Sequence, residues 1–175
     1  VRKLRQSHGA IYTAEPSQGK IGKFIRQGCL DEEKRLPTAV EALLFAADRI
    51  EHIQNLVTPA LKEGKVVVSD RYVYSSLAYQ GSAGLSLDWI EAINANALKP
   101  DLCVFIDVEP KIVLDRLKRK RSVMENLQTQ EKVREIYLTY VEKDELVKVD
   151  GGKSKREVAE ALYAEVTGFL KKVKA

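Results

Sequence analysis

The chain has 175 residues, of which 45% are hydrophobic and 31% are charged, and its formal net charge is +4. These values are typical of one globular domain that buries a substantial core. The small positive charge suits a phosphate-bearing ligand but does not indicate a nucleic-acid-binding protein. No apolar run approaches the roughly 18–20 residues that span a membrane, so a membrane protein is not expected. No signal peptide is expected either, because the basic start has no hydrophobic continuation.

Short β-branched runs alternate with amphipathic segments along the chain. The runs predict strands over residues 10–13, 65–69, 101–108 and, more weakly, 146–150. The amphipathic segments predict helices over 19–27, 38–63, 87–98, 111–120, 131–141 and 155–172, with a further helix beginning after residue 71. Strands joined by helical crossovers form a parallel sheet that helices cover on both faces. The sequence therefore predicts an α/β fold in one domain.

The two cysteines of the chain, Cys29 and Cys103, stand far apart and without the spacing of a metal site. We expect reduced thiols, which are typical of a cytoplasmic protein. Cys103 lies within the apolar run of residues 102–106, which predicts that it belongs to the core.

The end of the predicted strand over 65–69 carries an acid and a base side by side. Asp70 and Arg71 follow the strand directly and precede a helix rich in hydroxyl and tyrosine side chains. Ligands of open α/β sheets bind at the carboxyl ends of the strands. An arginine there can bind a phosphate through two hydrogen bonds, and an aspartate can hold Mg²⁺ or orient a hydroxyl or phosphate. The alternative is a surface ion pair at the strand end.

The long helix over 38–63 has two distinct faces. Thr38 followed by Glu41 predicts a capping box at its start, and Gly64 predicts its end. A mainly apolar stripe follows helical spacing, whereas Phe45 and Arg49 fall on the opposite, polar side, together with Glu41 and His52. An aromatic ring with an arginine one turn later suits a flat aromatic ligand. The alternative is that another helix or loop covers Phe45.

Several motifs resemble those of the thymidylate kinase family, in the expected order over nearly the whole chain. The family's T-R-E-P-G-G loop resembles residues 13–19 (TAEPSQG), and its E-x-L-L-F-x-A-x-R helix resembles 41–49 (EALLFAADR). The D-R-Y…A-Y-Q-G signature matches residues 70–81, and the R-P-D-L…L-D-V strand resembles 99–108. The resemblance implies a three-layer P-loop NTPase fold. It also implies a cytoplasmic homodimer that phosphorylates dTMP to dTDP with ATP and Mg²⁺ in dTTP biosynthesis.

The resemblance also implies a role for individual residues. Phe45 would stack on thymine, Arg49 would bind its O4 edge, and Arg71 would bind the dTMP phosphate. Asp70 and Arg71 would act as catalytic residues, and Asp70 would also be a metal ligand. The remaining substrate-binding residues implied by the motifs are Glu15, Ser76, Tyr79 and Gln80, with Tyr79 placed against the sugar so that ribonucleotides are disfavoured.

A basic run follows the third predicted strand. The family has a mobile lid at this point, over about 116–130 here, and the resemblance implies that Arg119 and Arg121 act in catalysis. The alternative is a solvated basic helix end. Gly152 and Lys153, in the later G-G-K-S sequence, would lie near the adenine of ATP. That sequence is not a P-loop, because Val147 stands where the motif requires glycine.

The chain departs from the family pattern at its start and in the first motif. The family's first strand, its P-loop and most of its first helix have no counterpart here, so we expect the functional polypeptide to be longer than residues 1–175. Ala14 replaces an arginine, and Ser17 and Gln18 replace most of a glycine pair. Two alternatives stay open: a deoxynucleoside kinase, which typically has E-R-S in place of D-R-Y, and a non-catalytic relative that binds nucleotides.

Overall fold

A computed structural model, which describes residues 2–28, 35–116 and 127–174, contains two pairs of parallel strands. Strand β1 (Ile11–Ala14) pairs with β2 (Val67–Asp70), and β3 (Val104–Asp107) pairs with β4 (Val147–Asp150). All four lie where the sequence predicts strands. Each pair is joined through helices, as parallel strands require. The α/β prediction is therefore confirmed.

The described residues form two compact units, which we treat separately. Residues up to 98 form the first unit, and the described residues from 99 onward form the second. No helix in the described ranges is long and apolar enough to cross a membrane. In the first unit the helices are α1 (Arg2–His8), α2 (Lys20–Gly28), α3 (Thr38–His52), α4 (Thr58–Lys62), α5 (Val73–Ser82) and α6 (Leu87–Ile93). The second unit contains α7 (Pro110–Arg116), α8 (Leu127–Glu142) and α9 (Lys155–Lys174).

The helix predicted over 38–63 begins at Thr38 as expected, but its capping differs and its winding changes internally. Residues Ile53–Val57 between α3 and α4 adopt π-helical turns. Gly64 ends the helix with a φ of 73°, a conformation that favours glycine. The predicted capping box is wrong, because no side chain caps the start and Glu41 instead pairs with the guanidinium of Arg35.

The buried face of α3 is the polar one. Glu41, Asp48, Arg49 and His52 are all at most 4% exposed, whereas the apolar stripe includes Val40 and Leu43 at 41% and 49% exposed. These residues can be buried because each has a partner outside α3: Arg35 for Glu41, Ser17 for Asp48, and Glu15 for both Arg49 and His52. The side of α3 that carries Arg49 therefore faces the interior of the first unit.

The second unit packs α8 and α9 against the pair β3 and β4. The rings of Phe105 and Tyr137 stack with their centroids 4.5 Å apart. Cys103, just before β3, is half-buried, and this burial together with the nearby charge of Glu145 raises the pKa of its thiol to about 11. A raised pKa keeps the thiol protonated and unreactive, which is consistent with a packing role.

The loop from β4 to α9 is tightly built. A side chain at Gly151 would collide with Val108 and would lie 2.7 Å from the Cγ2 atom of Ile106. At the start of α9, Ser154 and Glu157 form a reciprocal capping box: the Ser154 hydroxyl accepts from the Glu157 amide at 3.3 Å, and the Ser154 amide donates to the Glu157 carboxylate at 3.0 Å. The Ser154 hydroxyl also donates to this carboxylate at 2.6 Å. The hydrogen bonds from Ser154 lower the pKa of Glu157.

Candidate functional site

The carboxyl ends of β1 and β2 bring two motifs together. In the parallel register Ala14 lies opposite Asp70, and the amide of Glu15 donates to the carbonyl of Asp70 at 3.0 Å. The loop after β1 and the Asp70-Arg71 pair after β2 therefore leave the sheet at the same edge. This is the position at which ligands of open α/β sheets bind, and it confirms the expected location of Asp70 and Arg71 at a strand end.

Arg71 has a backbone conformation that few non-glycine residues adopt. Its φ is 70°, within the left-handed region. Its guanidinium lies 4.8 Å from the centre of the Tyr79 ring, and its Nη2 atom donates to the Tyr79 hydroxyl at 3.4 Å. The side chain is exposed. Residues held in such conformations cluster at functional sites, and the contact brings together two of the predicted site residues.

Asp70 is exposed and has one carboxylate oxygen engaged. The Tyr12 hydroxyl donates to its Oδ2 atom at 3.1 Å. Partial desolvation, this hydrogen bond and the charge of Asp70 all raise the pKa of Tyr12. The Oδ1 atom has no hydrogen-bond partner among the described residues. An exposed carboxylate oxygen at the end of a strand fits Mg²⁺, which is typically bound through one or two carboxylates plus substrate phosphates and water. The described residues contain no cluster of three or more potential metal ligands.

Arg49 lies at the centre of a buried polar cluster, the Arg49 cluster, which also includes Glu15, Asn94 and Ser76. Its Nε atom donates to Glu15 Oε2 at 2.9 Å, and its Nη2 atom lies 2.8 Å from the same oxygen. Nη1 donates to Asn94 Oδ1, and Nη2 donates to Ser76 Oγ at 3.2 Å. The guanidinium also lies 5.2 Å from the centre of the Tyr72 ring. These contacts fix the guanidinium in one plane.

The other carboxylate oxygen of Glu15 is also engaged. His52 Nδ1 lies 3.2 Å from Glu15 Oε1, and His52 Nε2 lies 2.6 Å from the Thr13 hydroxyl. Both Glu15 and His52 are at most 5% exposed. Glu15 is thus held from two sides, by Arg49 at Oε2 and by His52 at Oε1.

The loop after β1 is held against α3 by a second carboxylate. Asp48 is fully buried and accepts hydrogen bonds from the Ser17 amide at 2.7 Å and the Ser17 hydroxyl at 2.6 Å. Arg26 donates to the carbonyls of Pro16 and Ser17 at 2.6 and 2.5 Å. The serine that replaces a family glycine therefore has a structural partner on α3.

The remaining predicted binding residues of the first unit differ in their surroundings. Phe45 is half-buried, one turn before Arg49 on α3. Ser76 and Gln80 lie on the buried side of α5. The Oε1 atom of Gln80 is buried and has no hydrogen-bond partner among the described residues. Since buried polar atoms are nearly always satisfied, this oxygen is an acceptor suited to a ligand donor.

The predicted ATP-binding residues lie in the second unit. The amide of Gly152 donates to Asp150 Oδ1 at 2.8 Å, and Gly152 itself is exposed. Lys153 lines a cavity of about 310 Å³ with Lys148, Asp150 and Glu157. Arg119 and Arg121, the predicted catalytic lid residues, lie outside the described residues. The start of the lid range at Arg116 is the end of α7, and residues 127–130 belong to α8.

Sequence reasoning missed four members of this arrangement. Tyr12 meets Asp70 only because of the β1–β2 register, and Asn94 reaches Arg49 only because α6 packs beside α3. Neither position has a local signal. Asp48 lies within the 41–49 motif and His52 was placed on the polar side of the helix, but neither was given a role in the site.

Comparison with known proteins assigns this arrangement to one family. A family model described as thymidylate kinase matches residues 1–162. The chain is similar to a probable thymidylate kinase of Pyrobaculum aerophilum, with 40% identity over 163 residues that cover 92% of this chain and 82% of the relative. Probable thymidylate kinases of Pyrococcus horikoshii and Methanocaldococcus jannaschii are 42% and 38% identical. These two alignments cover 78% and 97% of this chain, and 70% and 87% of the relatives.

Proposed function

Because this chain belongs to the thymidylate kinase family, we propose that it transfers the γ-phosphoryl group of ATP to dTMP. A phosphate oxygen of dTMP forms a bond to the γ-phosphorus while the bond to the β,γ-bridging oxygen breaks, giving dTDP and ADP. The observation that carries the proposal is the common sheet edge where an exposed arginine, Arg71, follows β2 and a buried arginine cluster adjoins the end of β1. Such transfer depends on positioning and charge stabilisation, which arginines supply.

An N–H group of Arg49 without a partner supports the proposal that this residue binds the base. Its contacts with Glu15, Asn94 and Ser76 engage Nε, Nη2 and one N–H of Nη1. One N–H of Nη1 has no partner among the described residues and would donate to thymine O4. Phe45, one turn earlier on the same helix, would stack on the ring.

The phosphate and sugar of dTMP would bind beside Arg71. The guanidinium of Arg71 lies over the Tyr79 ring, and the planar arrangement of its N–H groups suits two phosphate oxygens. Tyr79 would pack against the sugar. The unsatisfied Oε1 atom of Gln80 would accept a hydrogen bond from the nucleotide, directly or through water.

Asp70 would hold Mg²⁺ together with substrate phosphates, and Tyr12 would orient its carboxylate. The ion, when bound, neutralises phosphate charge during the transfer. Gly152 and Lys153 would contact the adenine of ATP, and Arg119 and Arg121 would close over the phosphates. We also propose a cytoplasmic location, in keeping with the free thiol of Cys103 and a nucleotide substrate.

A homodimer is also proposed, and the exposed apolar stripe of α3 supports it. Val40 and Leu43, one turn apart on α3, are each more than 40% exposed within this chain. Exposed apolar residues aligned on one helix face are typical of a protein–protein interface. A second copy of the same face would bury them.

The test is the conversion of dTMP to dTDP with ATP and Mg²⁺, measured by chromatography, with thymidine and dUMP as parallel acceptors. We expect turnover of dTMP, weaker turnover of dUMP because a single methyl contact separates the two, and none of thymidine. Arg71→Lys keeps the charge but loses the two-point geometry, so its KM for dTMP should rise about tenfold or more. Turnover of thymidine alone would favour a deoxynucleoside kinase, and dTMP binding without turnover would favour a non-catalytic relative.

A further inference from the structure

We propose that His52 is a positioning residue for recognition of the base, because it fixes the carboxylate that orients Arg49. This inference rests on the proposed function, since it assumes that Arg49 contacts the base of dTMP. Both ring nitrogens of His52 are already engaged, by Glu15 and by Thr13. His52 acts through Glu15, which lies between the two basic side chains of α3.

The geometry gives each polar atom in the series Thr13, His52 and Glu15 one hydrogen-bonding role. Glu15 Oε1 only accepts hydrogen bonds, so His52 Nδ1, 3.2 Å away, carries the hydrogen between them. In the neutral ring Nε2 is then an acceptor, and the Thr13 hydroxyl donates to it at 2.6 Å. Thr13 lies on β1, so the imidazole ties the orientation of Glu15 to the strand.

Glu15 transmits this constraint to Arg49. Its Oε2 atom lies 2.9 Å from Arg49 Nε and 2.8 Å from Nη2. A carboxylate has one plane, so fixing Oε1 also fixes the direction in which Oε2 faces the guanidinium. Without the His52 contact, the Glu15 carboxylate is held only at Oε2, through Arg49, and turns more widely about its terminal bond. Asn94 and Ser76 still hold the guanidinium, but its unpartnered N–H is then aimed at the base less precisely.

Two amide variants test the two ring nitrogens of His52 one at a time. The amide nitrogen of asparagine occupies nearly the position of histidine Nδ1, and that of glutamine occupies nearly the position of Nε2. His52→Asn therefore keeps a donor to Glu15 and loses the contact with Thr13. His52→Gln loses the donor to Glu15 and keeps a polar group near Thr13. Each change removes the ring, so the cavity that it leaves is nearly matched.

The experiment measures the affinities of dTMP, thymidine and 2-deoxyribose 5-phosphate for the full chain, together with melting temperatures. Calorimetry serves for the nucleotide and nucleoside, and NMR titration for the weakly bound sugar phosphate. We expect His52→Gln to weaken dTMP and thymidine by the same factor, about tenfold for loss of a hydrogen bond to a charged group. His52→Asn should stay within about threefold of wild type. Neither should change binding of 2-deoxyribose 5-phosphate, which has no base.

The outcomes are distinct. Equal affinities of wild type and His52→Gln, or equal losses in both variants and for all three ligands, would overturn the positioning role. A wild-type protein that does not bind dTMP would overturn the proposed function and, with it, this inference. If His52→Gln unfolds before binding can be measured, Thr13→Val decides, because it removes only the hydroxyl that holds Nε2. We then expect about threefold weaker binding of the two base-containing ligands, and no change would refute the proposal.

Discussion

Replacing Arg49 should lower the stability of the protein itself, in addition to any effect on ligand binding. Arg49 is 1% exposed and Glu15 is 5% exposed, so Arg49→Met leaves a carboxylate buried with one of its oxygens unpaired. Breaking a buried ion pair in this way typically costs about 3–5 kcal/mol. Asn94 and Ser76 lose a donor as well, and such losses in one network do not add. We therefore expect a loss of about 4 kcal/mol, a large part of the free energy of unfolding of an ordinary domain.

The assay is urea unfolding followed by circular dichroism, without ligand, so that stability is measured apart from binding. Two variants complete the design. Glu15→Gln combined with Arg49→Met removes the stranded charge, and this double variant should be more stable than Arg49→Met alone. Arg156→Met is the matched control, since its ion pair with Glu160 is exposed and should contribute less than about 1 kcal/mol.

Either of two results would refute the reasoning. A loss below about 1 kcal/mol for Arg49→Met would mean that water or another group satisfies Glu15 once the guanidinium is gone. A double variant less stable than Arg49→Met would mean that the negative charge of Glu15 is not the source of the cost. In that case the destabilisation would come from the lost packing of the arginine side chain, not from the pairing.

Two further predictions concern other parts of the molecule. Leu43→Glu places a charge on the exposed apolar stripe of α3, so we expect sedimentation velocity to show a monomer in place of the proposed homodimer. The melting temperature of a dilute sample should change little. A wild-type protein that is already monomeric would contradict the dimer. Gly151→Ala should lower the free energy of unfolding by about 1–3 kcal/mol because its Cβ atom would collide with Val108 and Ile106. Gly168→Ala, in open space on α9, is the control, and equal effects of the two changes would rule out the steric explanation.

Positions of helices and strands were predictable because local signals set them. The β-branched run before Asp70 and the glycine after the long helix each act through the backbone of their own segment. The start of α3 at Thr38 was predicted, but the capping interaction there was not. Thr38 and Glu41 fit a capping box, but Arg35 offers the Glu41 carboxylate a charged partner, and the ion pair replaces the local hydrogen bond. The capping rule identifies a possible hydrogen-bond partner from sequence spacing, but it does not tell whether a charged side chain competes for the same carboxylate.

Residues of the candidate site that belong to the family motifs could be named in advance, whereas the contacts among them could not. Tyr12 reaches Asp70 through strand register, and Asn94 reaches Arg49 across 45 residues of sequence. Such pairs depend on how whole elements pack. Their residue types, a tyrosine on a strand and an asparagine after a helix, are common elsewhere and carry no local signal of the contact.

Helix α3 shows why periodicity alone does not tell which face is buried. The spacing separates an apolar stripe from a polar one correctly, but in this chain the apolar residues Val40 and Leu43 are exposed and the polar residues Asp48 and Arg49 are buried. Burial of a charged group is tolerable only where it is hydrogen-bonded or ion-paired. Here Ser17 donates hydrogen bonds to Asp48, and Glu15 forms an ion pair with Arg49. The partners of both lie in the loop after β1, so the polar face of α3 and that loop stabilise each other. A helix that pairs its charges with the binding loop has its apolar side left for a second partner, and this is why the same helix supports both the proposed base site and the proposed dimer.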